Sequence, residues 1–149
     1  MWQRLSWWSD IFQRQFTDLA TAVFGLGYGF PLIDFTIAGG ITVREPHNSY
    51  ISVLARLGVV GAFVFLWMHL LLLRVWHHAY KMCTRMRWRD GENRLLILMV
   101  FFILVWICAV GEDAFEKPFV TIPYYFFWGI VLRFAYHLKK GAIGVLNRE

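Results

Sequence analysis

Three long apolar runs decide what this sequence can become: Leu57 to Leu73, Leu95 to Val110, and roughly Phe119 to Leu132. They are 17, 16 and 14 residues long, against the roughly 17 to 25 that a helix needs to cross a bilayer. Tyr50 to Ala55 before the first run and Arg133 to Tyr136 after the third bring both into range. The second leans on Trp106 and Gly111 at its boundary. With 58% hydrophobic and 19% aromatic residues, the chain is too apolar for an ordinary water-soluble domain. The expected fold class is an all-α integral membrane protein with about three transmembrane helices, preceded by an extracytoplasmic interfacial helix and loop. The expected layout is an outer segment over 1–49, spans over 50–75, 95–110 and 119–136, a basic loop over 76–94, a short acidic loop over 111–118, and a basic tail over 137–149.

Charge supplies an orientation. Arg74, Lys81, Arg85, Arg87, Arg89 and Arg94 outnumber Asp90 and Glu92 between the first two runs. The tail carries Arg133, Lys139, Lys140 and Arg148 against Glu149. Between the second and third runs the balance reverses, with Glu112, Asp113 and Glu116 against Lys117. Short basic loops stay in the cytoplasm, so both basic segments are expected there. The acidic loop and everything before Tyr50 are then expected outside. The net charge of +5 reads as a topology signal, and no nucleic-acid partner is expected. Cys83 falls in the basic loop and Cys108 inside the second span, so the two cannot pair.

From Trp2 to Val23 apolar residues recur at Leu5, Trp8, Ile11, Phe12, Phe16, Leu19, Ala20 and Val23, a helical period that predicts an amphipathic helix lying along the bilayer surface or packed on other membrane helices. Gly25, Gly27 and Gly29 break it, allowing positive φ and close approach of the backbone to another segment. The most chemically loaded stretch is Glu45-Pro46-His47-Asn48-Ser49-Tyr50, at the start of the first membrane helix. Histidine titrates near neutrality and suits proton transfer or an anionic partner. Pro46 ends any preceding helix, and Asn48 or Ser49 is the expected N-cap. That start would direct its free amides and positive dipole end at the same anion. Ser49, Ser52 and Arg56 form a polar stripe at three- and four-residue steps. Arg56 either snorkels to headgroups or lines a cavity. Tyr50 either bonds a sugar or joins the aromatic belt. Arg44 either contacts phosphate or forms an exposed pair with Glu45. Gly58, Gly61 and Ala62 form a small-residue patch for close helix packing. His69 is expected to be a buried, neutral contact.

In order and spacing, Arg4-Leu5-x-x-Trp8, then Gly25-x-Gly27-x-Gly29, then His47-Asn48-x-Tyr50, then Leu57-Gly58 and Gly61 resemble the carboxyl-terminal part of the O-antigen ligase and O-antigen polymerase family of bacterial membrane glycosyltransferases. The resemblance covers about Arg4 to Leu73. Beyond it, agreement is limited to membrane character and the acidic loop from Glu112 to Glu116. It implies transfer of a glycan from a polyprenyl diphosphate carrier to an acceptor hydroxyl, on another glycan or the lipid A core. Neither a cofactor nor a metal is implied. The implied location is the bacterial inner membrane, with His47 on the periplasmic side. By motif match, His47 is the essential histidine, as base or diphosphate contact, and Arg4 holds the diphosphate. Arg44, Asn48, Tyr50 and Arg56 are the implied substrate-binding residues. Full members carry about ten or more spans, so the chain is expected to be a carboxyl-terminal fragment that needs its missing amino-terminal membrane helices for activity. Two other classes stay open: a non-catalytic membrane subunit, and a lipid-diphosphate-binding transport component of polysaccharide export.

Overall fold

The computed structural model describes residues 2–28, 31–33, 35–37, 41–43 and 46–146. Five helices account for most of them: α1 (Trp2–Gln15), α2 (Leu19–Phe24), α3 (Ser49–Arg85), α4 (Arg89–Gly111) and α5 (Pro118–Leu146). Three are long and apolar enough to cross a membrane: α3, α4, and the part of α5 from Pro118 to Lys140. Their large side chains agree with a lipid environment. Phe63, Ile97, Ile107, Phe119 and Phe126 are each more than 60% exposed. An apolar surface of that extent needs lipid or other helices to cover it.

The helices outrun the apolar runs. The expected first span ended at 75, whereas α3 continues to Arg85. Hydropathy marks where a helix is greasy, and backbone bonding continues through Lys81 and Arg85. The chain turns at residues 86–88: Trp88 N–H donates to Cys83 O and Arg87 N–H to Thr84 O, with Arg87 left-handed at φ 53°. This is the paired-bond helix ending that glycine usually supplies.

Two further departures lie before α3. The expected amphipathic helix from Trp2 to Val23 is broken after Gln15. Asp18 stays extended, accepts a bond from Ala20 N–H and starts α2 afresh. A short polar side chain that rewards its neighbours' amides outside a helix outcompetes a continuing period. The segment expected to be loop also contains a minimal antiparallel ladder, β1 (Phe35–Ile37) and β2 (Ile41–Val43), with Phe35 opposite Val43. The bulk of the fold is helical, as expected, with this ladder as its one addition among the described residues.

The chain forms two compact units, Met1–Leu66 with Trp106–Pro118, and Trp67–Val105 with Phe119–Glu149. In the first, Ile11, Leu32, Ile33 and Ala55 form a small core with Trp7, Leu26 and Ile51 against it. In the second, Phe102 stacks on Trp128 at 4.0 Å between ring centres, and Tyr124 meets the same ring edge-on at 5.4 Å. His69 lies buried there, 5.8 Å from the Tyr124 ring and 6.2 Å from Tyr125. The burial expected of it holds, with tyrosine rings as its surroundings.

Helix α3 is broken at Gly58, where φ is 67° and ψ −173°, a conformation essentially closed to residues bearing a Cβ. The preceding stretch, 49–57, is therefore a short helix with its own end, and such an end leaves carbonyls without helical donors. The amino-terminal segment supplies three. Gln15 Nε2 donates to Leu54 O at 2.8 Å, Leu26 N–H to Ala55 O at 2.7 Å, and Gly27 N–H to Arg56 O at 3.0 Å. Gly25 and Gly58 pass so closely that a Cβ on either would collide with the other's backbone region. The close approach expected of the glycine turn is made at Gly58, which meets the backbone of Val23 and Gly25, while Gly61 faces Leu57 within α3.

Candidate functional site

The 49–57 helix carries Tyr50 and Arg56 and follows directly on His47 and Asn48, and three contacts hold it. Its beginning is capped by Asn48, whose Oδ1 accepts from Tyr50 N–H at 3.0 Å and Ile51 N–H at 3.1 Å. Its end is locked by the glycine crossing. Its polar face is closed by the acidic loop after α4. Ser49 Oγ donates to Glu112 O at 2.9 Å and accepts from Phe115 N–H at 3.1 Å. Asp113 Oδ1 accepts from Asn48 N–H at 3.1 Å and from Ser52 Oγ at 3.3 Å. The loop is itself fixed by a turn in which Glu116 N–H and Lys117 N–H donate to Asp113 O. Pro118 then opens α5, where its missing N–H costs nothing.

Asp113 is 4% exposed, and its Oδ2 faces His47 Nδ1 at 3.8 Å. Nδ1 is buried and has no hydrogen-bond partner, while the His47 side chain as a whole is 38% exposed. His47 is also left-handed, at φ 51°. Non-glycine residues held there cost energy and cluster at functional sites. Its loop is pinned from α1, because Trp8 Nε1 donates to Pro46 O at 3.1 Å.

Each acid of the loop has a basic side chain opposite it. Glu112 pairs with Lys117 at 2.6 Å, Glu116 with Arg56 Nε at 3.2 Å, and Asp113 stands opposite His47. The Lys117 ammonium, by hydrogen bond and then by charge, holds the Glu112 carboxyl below the usual carboxylate range, with smaller help from His47 and Arg4. Arg4 therefore lies within electrostatic reach of this loop. It is exposed on α1, one turn before the Trp8 that holds the His47 loop.

The remaining candidates divide. Arg56 neither snorkels nor points into open space. It is 5% exposed, bonded to Glu116 and to Gly27 O at 3.3 Å, with its guanidinium 5.1 Å above the Tyr28 ring. Stranding one member of a buried pair costs about 3–5 kcal/mol, so Arg56 reads as the rivet between the glycine turn and the acidic loop. Tyr50 donates its hydroxyl to Trp106 O at 2.8 Å and sits among Trp106 and Phe115. Its position is that of a packing residue. The expectation that the helix start offers free amides to an anion is corrected, because Asn48, Tyr50 and Ile51 N–H are all engaged. Arg44 and Gly29 lie outside the described residues.

Asp113 was missed as a site residue. In the sequence it counted only as one charge of a loop, although topology alone places that loop on the His47 side. Among the described residues no three His, Cys, Asp or Glu side chains gather as a metal site would need. Comparison with known protein families, curated proteins and solved structures returned no match.

Proposed function

We propose that this chain carries the reactive site of a membrane glycosyltransferase of the O-antigen ligase or polymerase type, moving a glycan from polyprenyl diphosphate to an acceptor hydroxyl. The single observation that carries the reading is the His47–Asp113 pair, a half-exposed imidazole backed at 3.8 Å by a buried carboxylate. It supports a general base. The carboxylate favours a proton on Nδ1, leaving Nε2 to accept one from the sugar hydroxyl. As the hydroxyl oxygen bonds to the anomeric carbon, the glycosidic bond breaks and its electron pair leaves on the diphosphate. The hydroxyl proton ends on Nε2, and Asp113 stabilises the imidazolium.

Arg4 serves as the diphosphate contact, since guanidinium meets phosphate oxygens with paired donors and stays charged at any working pH. The exposed apolar faces of α3, α4 and α5 would hold the carrier's lipid tail or further helices of the same enzyme, in a bacterial inner membrane with His47 outward. Donor use tests this. Membranes from cells with the native gene should transfer glycan from a polyprenyl-diphosphate donor without nucleotide sugar, and membranes from cells lacking it should not. Equal transfer from both would overturn the reading.

A further inference from the structure

The second unit carries a feature that the glycosyl-transfer reading does not use. Arg74, His77, His78 and Lys81 follow i, i+3, i+4, i+7 spacing and so share one face of α3. With Leu70 and Leu73 they line a recess of about 410 Å³. All four polar residues are exposed. The apolar run ends at Leu73, so the stripe starts where a membrane helix leaves hydrocarbon. It extends about 10 Å along the axis at 1.5 Å per residue, enough to span one headgroup layer of about 5–8 Å.

The charges in this part of the chain are unevenly balanced. Arg94 pairs with Asp90 at 3.0 Å and Arg89 with Glu92 at 3.6 Å. These are the two acids that the sequence supplies between the first and second runs. No described acidic side chain forms an ion pair with Arg74 or Lys81. Arg74 is instead steered toward the bilayer side, its guanidinium 5.9 Å from the centre of the Trp67 ring. Topology accounts for basic residues near a span's end, but it counts charges without regard to helical face. It gives no reason for four donors to converge on one recess with leucines at its apolar end.

We infer that this recess binds the headgroup of an anionic phospholipid. Arg74 and Lys81 contact the phosphate, His77 and His78 donate hydrogen bonds, and Leu70 and Leu73 receive the start of an acyl chain. Basic pockets at the rim of membrane helices suit such headgroups. The site is independent of His47 chemistry and would serve to anchor α3 at a fixed depth.

The test uses the purified full chain in detergent micelles and native mass spectrometry with phosphatidylglycerol or phosphatidylcholine as probe. Phosphatidylglycerol should bind in preference to phosphatidylcholine. The double replacement Arg74→Gln with Lys81→Gln should weaken it about 10- to 30-fold, from the worth of two cations near an anionic headgroup. Arg89→Gln with Arg94→Gln, which removes the same formal charge, should leave it unchanged. The charge-conserving swap Arg74→Lys with Lys81→Arg should retain binding even where the neutral pair folds poorly. Equal loss from both neutral pairs, no preference between the lipids, loss of binding in the charge-conserving swap, or displacement of phosphatidylglycerol by matched inorganic phosphate would overturn the assignment.

Discussion

A Gly58→Ala replacement is expected to lower the stability of the amino-terminal unit by about 3–5 kcal/mol, a large share of the 5–15 kcal/mol that ordinarily holds a domain. Two effects add. The backbone at φ 67° and ψ −173° costs a residue with a Cβ about 1–3 kcal/mol. The new methyl also collides with Val23 O and Gly25 N, which separates the crossing. Separation breaks the bonds from Leu26 N–H to Ala55 O and from Gly27 N–H to Arg56 O, each worth about 1 kcal/mol net. Two control glycines grade the effect. Gly27 has a positive φ of 80° but open space around it, so Gly27→Ala should show strain alone. Gly129 lies in α5 with open space and no positive φ, and Gly129→Ala should cost least. Thermal unfolding in micelles, with proteolysis of the 16–48 region as a local readout, checks the order. A Gly58→Ala chain as stable as Gly129→Ala would remove the crossing from the account.

His47→Ala is expected to reduce glycan transfer about 10²- to 10⁴-fold, the usual contribution of a positioned base, while binding of polyprenyl diphosphate persists. Asp113→Asn should follow in the same direction. An amide keeps the oxygen that accepts from Asn48 N–H and Ser52 Oγ, so the loop stays closed. It removes the negative charge behind Nδ1, so the loss should fall on kcat and spare KM. Steady-state kinetics of native-membrane transfer, beside direct binding of polyprenyl diphosphate, separates the cases. A His47→Ala chain that loses binding in proportion to turnover would make the imidazole a diphosphate contact. Unaltered transfer in both variants would remove the pair from the chemistry.

The three membrane-length helices were legible because apolar runs of 14 to 17 residues leave few alternatives. The Asn48 cap was legible for a local reason: its side chain bonds amides two and three residues on. The glycines were half legible. Their freedom to approach something could be read, but the partner lies about thirty residues away and no local pattern names it. The break before Asp18 was hidden by an apolar period that runs through it, and Leu19 is in fact 78% exposed. The ladder of β1 and β2 had a faint signal, aromatic and β-branched triplets (Phe35-Thr36-Ile37 and Ile41-Thr42-Val43) on either side of Gly39-Gly40. Asp113 and Glu116 were the costliest omissions. Both act on residues 60 or more positions earlier, and such pairings arise only when the fold brings two distant segments together. Arg56 shows the same gap, because its helical position was evident while its burial with Glu116 was not.

Side-specific labelling of position 47 tests the central claim most directly. In a Cys83→Ser, Cys108→Ser background, His47→Cys and Thr84→Cys chains would be exposed separately to a membrane-impermeant maleimide in intact cells. The account predicts reaction at position 47 in intact cells and at position 84 only after permeabilisation. Labelling of both positions from the same side would contradict it.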